Sequence, residues 1–358
     1  MKQLFRKLYN ISAIFMVFGA FLVLSCSNNE VEVGDWESFF PKENVNRYEN
    51  VVEAPIDKGA TAMTKKVYSY LRSNFGTNIL SGNPHVELSG VSPKILSYDL
   101  MFYTQGCIDS GDKVEDGIPY RITWYEKYQS VNEVGGILTL QWHWYAPKDG
   151  YAFYKKNASH PNGTTFDVSK AVEEGTEEYN LIIRDIDAIS VQLRKLADKN
   201  IPVLFRPLHE AAGSDGTDAW FWWGAKGAEP CKKLWGILYD RLTNYHQLHN
   251  LLWVWSSPIE GWYPGNDKVD ILGYDSYPAK YDYSTQKVVF DRLYTMCDGK
   301  KMIAMTENGP IPDINACFEE DAPWLFFMTW DTFLDSHNSR EHVQSVINNE
   351  RVIKMPKK

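Results

Sequence analysis

Positive charge is in short supply in this 358-residue chain: 37 Lys and Arg stand against 46 Asp and Glu, a formal net charge of −9. A surface of that sign offers no footprint for a phosphate backbone, so nucleic acid is excluded as a partner. Cysteine is sparse as well, with five in the chain and none in C-x-x-C spacing. That excludes a zinc ribbon or a dithiol redox motif. No early strand-like run leads into a Gly-rich phosphate loop, and no His pair has the HxxxH or HxH spacing of a metal site. The chain carries no repeat and no low-complexity tract. These absences leave no cofactor and no metal to expect.

What is present is apolar and aromatic mass. Hydrophobic residues make up 44%, aromatic residues 14% and charged residues 23%, the balance of a globular chain with a sizeable core. Among the aromatics are 13 Trp, whose flat apolar ring with one donor suits the face of a sugar.

The N-terminus reads as an export signal. Lys2, Arg6 and Lys7 precede an apolar run from Ile11 to Leu24, shorter than the roughly 20 residues of a membrane span. It ends in Val23-Leu24-Ser25-Cys26, which resembles a bacterial lipobox, where cleavage before the Cys exposes it for acylation. The expected organisation is a lipoprotein signal peptide over 1–25, a lipidated Cys26 with a polar tether over 26–50, and one domain over 51–358. The protein is then an exported, membrane-anchored lipoprotein of a Gram-negative outer membrane or cell surface, with the periplasmic face as the alternative. A plain secretory signal is the competing reading. Cys107, Cys231, Cys297 and Cys317 remain, enough for two disulfides in an oxidising compartment, with no pairing specified by spacing.

From Ala60 onward, short runs rich in β-branched and aromatic residues alternate with amphipathic stretches, the pattern of a parallel sheet. Eight runs are expected as strands: 78–81, 95–102, 136–143, 202–207, 251–256, 269–275, 301–306 and 323–330. Helices are expected over 61–74, 176–199, 231–246, 286–297 and 342–353. In the second of these Leu181, Ile182, Ile186, Ile189, Leu193 and Leu196 recur at steps of three and four. Eight strands with intervening helices predict a single (β/α)8 TIM barrel, with an open doubly wound sheet as the alternative.

In such a barrel, chemistry gathers at the C-terminal ends of the strands. The fourth run leads into Arg206-Pro207-Leu208-His209-Glu210 and the seventh into Thr306-Glu307-Asn308-Gly309. Each delivers one Glu. Two carboxylates roughly 5–5.5 Å apart serve a retaining glycosidase, one as nucleophile and one as acid and then base. Either Glu alone fits an ordinary helix-terminus or turn role. Together with the aromatics that follow the third, fourth and eighth runs (Trp142 and Trp144, Trp220 to Trp223, and Trp330), they point to a sugar cleft. His143 and His209 suit hydroxyl recognition better than metal binding. Arg206, on the strand that carries Glu210, needs a carboxylate partner if buried and suits Glu307. Tyr277 is placed to donate to the nucleophile and Asp275 to orient its neighbours, with a tight turn as the competing reading.

These segments resemble glycoside hydrolase family 26. The resemblance rests on WHWYAP at 142–147, RPLHEAAG at 206–213, WFWWG at 220–224, GYDSYP at 273–278, TENG at 306–309 and Trp330. It implies a (β/α)8 barrel in which Glu210 is the acid/base and Glu307 the nucleophile. It also implies that His209 reads a hydroxyl of the cleaved sugar, His143 lines the glycone side, Trp220 forms an aglycone platform, and Trp330 underlies the sugar being cleaved. Trp223, next to that platform, is counted among the sugar contacts with Arg206 and Tyr277. The chain departs from the family pattern at Ala211-Ala212, where an Asn is usual, and in the stretch 214–219 before the first Trp. Asp331 stands where some family members carry Arg.

The expected activity is retaining hydrolysis of internal β-1,4-mannosidic bonds in galactomannan or glucomannan, by a monomer. β-Glucan and β-1,3-xylan are the alternative substrates. Two rival classes are a surface glycan-binding lipoprotein without turnover and a barrel enzyme that uses paired Glu for proton abstraction.

Overall fold

The computed structural model describes residues 47–356, apart from 114, 131 and 132. The signal segment 1–25, Cys26 and all but the last four residues of the expected tether lie outside the described residues. Those four, Arg47–Asn50, form a 3-10 turn, and the Tyr48 ring meets Phe75 edge-on at 4.9 Å. Packing of the domain therefore begins slightly before the expected boundary at 51.

Eight strands follow: β1 (Ile79–Asn83), β2 (Ile95–Asp99), β3 (Ile137–Gln141), β4 (Val203–Arg206), β5 (Leu251–Trp255), β6 (Ile271–Ser276), β7 (Met302–Asn308) and β8 (Phe326–Met328). All pair in parallel, in the order β7-β6-β5-β4-β3-β2-β1-β8. β7 and β8 meet through one parallel bridge, Asn308 to Thr329, so the sheet curls into a nearly closed barrel. Nearly every strand residue is buried, because one face packs on the barrel interior and the other on a helix ring. Each of the eight expected runs holds one strand, with ends shifted by a few residues.

Six principal helices cover the outside: α1 (Ala62–Asn74), α2 (Ile118–Tyr128), α3 (Glu177–Ala197), α4 (Ala228–Tyr239), α5 (Lys287–Met296) and α6 (Arg340–Asn348). Helix α3 shows why such segments coil. The Thr176 hydroxyl accepts from the Tyr179 N–H, Glu177 and Glu178 occupy the first turn, and Arg194 and Lys195 the last, complementing the helix dipole. Ile182, Ile186, Ile189, Leu193 and Leu196 make its buried stripe. Asp185 sits in that stripe because it accepts from Trp144 Nε1 at 2.9 Å and from Arg184.

Two expected helices are shorter than their patterns. The segment expected over 231–246 ends as α-helix at Tyr239 and widens into a π-type turn over Asp240–Tyr245. The last helix stops at Asn348, and Val352–Ile353 instead pairs with β1 as a ninth, two-residue strand. The four cysteines Cys107, Cys231, Cys297 and Cys317 are buried and unpaired, so the two possible disulfides do not form.

Candidate active site

Strands β4 and β7 end beside each other's reach at the barrel mouth, and Glu210 and Glu307 both border one cleft of about 940 Å³. The route to Glu210 is strained. Leu208 and Glu210 both have φ near +51°, a left-handed conformation that costs a residue with a Cβ about 1–2 kcal/mol. The kink is held by burial of the Leu208 side chain and by the Glu210 N–H, which donates to the Ser256 carbonyl at 3.0 Å. A second close approach fixes the loop behind it. A Cβ on Gly224 would lie 1.9 Å from the Ala211 carbonyl oxygen, so the last position of WFWWG admits only glycine without backbone movement.

Glu307 is gripped from both sides. Tyr277 O–H donates to its Oε1, and Arg206 Nη2 donates to its Oε2 at 2.5 Å. The other arm of the Arg206 fork reaches Asp275 Oδ2 at 2.7 Å and Ser256 Oγ at 3.1 Å, while Thr306 donates to Asp275 Oδ1 at 2.7 Å. Arg206 is 2% exposed and Glu307 6%. One guanidinium thus serves two buried carboxylates, the planar bidentate role for which Arg is suited and Lys is not. Both Glu307 oxygens act as acceptors, which is the bonding of a carboxylate.

Glu210 is treated differently. Burial, followed by the charges of Asp275 and Glu307, pushes its pKa up to about 8, against the opposing pull of Arg206 and of the Trp220 N–H. That indole donates to Glu210 Oε2 at 2.8 Å. One carboxyl kept protonated beside one held as an acceptor is the division of labour a double displacement requires.

The neighbouring histidines form a relay. His143 Nδ1 is 2.5 Å from Asp99 Oδ2, and His143 Nε2 is 3.1 Å from His209 Nε2. Burial works to lower the His143 pKa, but Asp99 overrides it and the net direction is up. Burial and the positive charges of His143 and Arg206 take His209 well down. Both rings border the cleft. Both His143 nitrogens and His209 Nε2 are already engaged, and His209 Nδ1 is enclosed. A hydroxyl contact by either ring therefore exchanges one of these internal bonds, a constraint the sequence did not reveal.

The aromatic expectation needs correcting. Trp220 and Trp330 border the cleft, as does Tyr277. Trp223 does not. It is fully buried, stacks on Phe221 at 4.4 Å and donates to the His209 carbonyl at 3.0 Å, so it backs the wall rather than meeting a sugar. Trp222, Trp142 and Trp144 are also fully buried, the last two stacked at 4.1 Å. Arg206 likewise lies beneath the cleft, acting on Glu307. In place of the buried indoles, Phe153, Tyr154 and Phe221 form part of the wall. Asp99 was also missed, because the expected run 95–102 extends past it, whereas β2 ends at Asp99 itself.

A parallel (β/α)8 barrel whose mouth carries two carboxylates in an aromatic-walled cleft has the architecture of the barrel glycosidases. The model of glycosyl hydrolase family 26 matches residues 56–356, and the chain belongs to that family. It is similar to a mannan endo-1,4-β-mannosidase of Thermothelomyces thermophilus, 39% identical over 87% of this chain and 64% of the relative. Mannan endo-1,4-β-mannosidase B of Piromyces sp is 35% identical over 84% of this chain and 52% of the relative. The chain thus spans between half and two thirds of those relatives' lengths. Among solved structures, a β-mannanase from a symbiotic protist of the termite Reticulitermes speratus, in complex with a gluco-manno-oligosaccharide, superposes with a TM-score of 0.75 at 32% identity, covering 85% of this chain and 97% of that one. A Podospora anserina β-(1,4)-mannanase gives 0.75 at 36% identity, covering 85% and 68%.

Proposed function

We propose that this chain is a retaining endo-β-1,4-mannanase acting on β-mannans such as galactomannan and glucomannan. The observation that carries the reading is the contrast between the two carboxyls: Glu307 accepts from Tyr277 and Arg206, while Glu210 is buried with its pKa raised. Glu307 attacks the anomeric carbon as Glu210 gives its proton to the departing glycosidic oxygen, and a glycosyl ester forms on Glu307. Glu210, now ionised, takes a proton from water, whose oxygen attacks the same carbon, and Glu307 leaves as a carboxylate. Net consumption is one water per bond. Trp330 underlies the cleaved sugar, Trp220 meets the leaving side, and the His143–His209 pair reads hydroxyls. Mannan as the substrate is supported by the names of the relatives.

The Val23–Cys26 motif supports an exported lipoprotein, with the polar stretch after Cys26 as tether and the barrel working as a monomer. Radiolabelled palmitate incorporation that disappears in Cys26→Ala tests the anchor.

Galactomannan, mixed-linkage glucan and xylan, incubated separately with the chain, test the activity. Mixed manno-oligosaccharides released from galactomannan, and lost in Glu307→Ala, support the reading. Absence of new reducing ends from every polymer, with galactomannan still bound, replaces it with a glycan-binding protein.

A further inference from the structure

One residue behind the cleft reaches both halves of the catalytic pair. Ser256 is the first residue past β5, 2% exposed, and it lies beneath the cleft rather than on its wall. Its carbonyl takes the Glu210 N–H at 3.0 Å, and its hydroxyl takes Arg206 Nη1 at 3.1 Å. The next residue continues the pattern. Ser257 Oγ accepts from the Ala212 N–H at 3.4 Å, and the Ser257 carbonyl is held by Trp255 Nε1 at 3.0 Å. Regular pairing of β4 with β5 runs from Val203 opposite Leu251 to Phe205 opposite Trp253. The left-handed turn at Leu208 and Glu210 carries the chain off that ladder, and at Ser256 it rejoins β5.

The hydroxyl bond matters because of what Arg206 spans. From β4 its guanidinium reaches across to β7, and it meets one acceptor from each strand on the way: Ser256 after β5, Asp275 on β6 and Glu307 on β7. The two hydrogens of Nη1 go to Asp275 and Ser256. Ser256 is the neutral member of the three. When Glu307 becomes a glycosyl ester it loses its charge, and one of its oxygens is bonded to the sugar. Its hold on Nη2 weakens at that step, whereas the Ser256 hydroxyl keeps its bond whatever the charge on Glu307. Without the hydroxyl, one Nη1 hydrogen is left buried with no acceptor, and the guanidinium is drawn toward Asp275. A displacement of about 1 Å at a reacting group costs up to about a hundredfold in rate.

We infer that Ser256 is a positioning residue. Its hydroxyl fixes the Arg206 guanidinium, and through it the Glu307 carboxylate, in register with Glu210, whose backbone hangs from the same residue. The inference rests on the mannanase reading, in which Glu307 is the nucleophile. Ser256 touches neither sugar nor reacting atom, so its removal costs rate rather than affinity.

Steady-state kinetics on the full chain test it. Ser256→Ala lowers kcat for mannotetraose about tenfold and leaves KM within about twofold, while Ser256→Thr, which keeps the hydroxyl, recovers most of the rate. A dinitrophenyl β-mannoside, whose leaving group departs without a proton, separates the two carboxyls. Because the defect lies with Glu307, Ser256→Ala lowers kcat/KM on this substrate about tenfold as well. Urea melts of a double-mutant cycle give a readout free of turnover. Ser256→Ala lowers the unfolding midpoint of the native chain but not that of Arg206→Met, where the bond is already gone. An unchanged kcat, a loss confined to mannotetraose, or an equal midpoint shift in both backgrounds overturns the inference. If the native chain hydrolyses no mannoside, or Glu307→Ala keeps its turnover, the mannanase reading falls instead, and the urea cycle still decides whether Ser256 acts through Arg206.

Discussion

Glu210→Gln should stabilise the fold while it stops turnover. The Glu210 pKa of about 8 in the folded protein compares with roughly 4.3 for an exposed Glu. A carboxyl raised in this way contributes its stability below the unfolded pKa, where both states hold the proton. That contribution is lost as pH climbs toward the folded value, because the unfolded chain ionises freely and the folded one does not. By pH 7 the loss is about 3 kcal/mol, and a Gln of the same shape avoids it. For a domain of about 300 residues that corresponds to a gain in Tm of about 5 °C. Thermal and urea melts of both proteins between pH 4 and 9 measure it. The two should nearly coincide at pH 4, diverge steadily, and run parallel above pH about 8. A difference that stays flat with pH, or a variant less stable than wild type at pH 8, would refute the claim that burial of this carboxyl raises its pKa.

Because Glu210 must hold its proton to act as acid, kcat/KM should fall as pH rises through about 8. Trp220→Phe removes an N–H that favours the ionised form, so the same limb should move upward, by about half a pH unit or more in a pH–rate profile. Tyr277→Phe strips one donor from Glu307 and should lower kcat about ten- to a hundredfold with little change in KM, measured by steady-state kinetics. Arg206→Met leaves Glu307 and Asp275 buried and uncompensated, and urea unfolding should show a loss of about 3–5 kcal/mol.

Much of the barrel was legible because a parallel strand covered on both faces must be a short, almost wholly apolar run. Gly136–His143 and Leu251–Ser256 are such runs, and each holds one strand. Ends were less legible. The run expected over 231–246 keeps its apolar spacing past Tyr239, and only the turn geometry at Asp240–Tyr245 reveals the change of helix type. At the cleft, Glu210 and Glu307 could be found because position at a strand terminus is itself the signal. Trp223 misled because spacing along WFWWG does not say which indole faces inward, and the turn packs that ring against Phe221.

The central claim is that Glu307 forms the bond to sugar while Glu210 handles the proton. Brief exposure to an activated 2-deoxy-2-fluoro-mannoside slows release of the glycosyl-enzyme, and mass spectrometry of the digested protein locates the label. The account predicts one sugar per chain, on the peptide that holds Glu307, and none in Glu307→Gln. A label on Glu210, or complete turnover with inversion at the anomeric carbon, would contradict it.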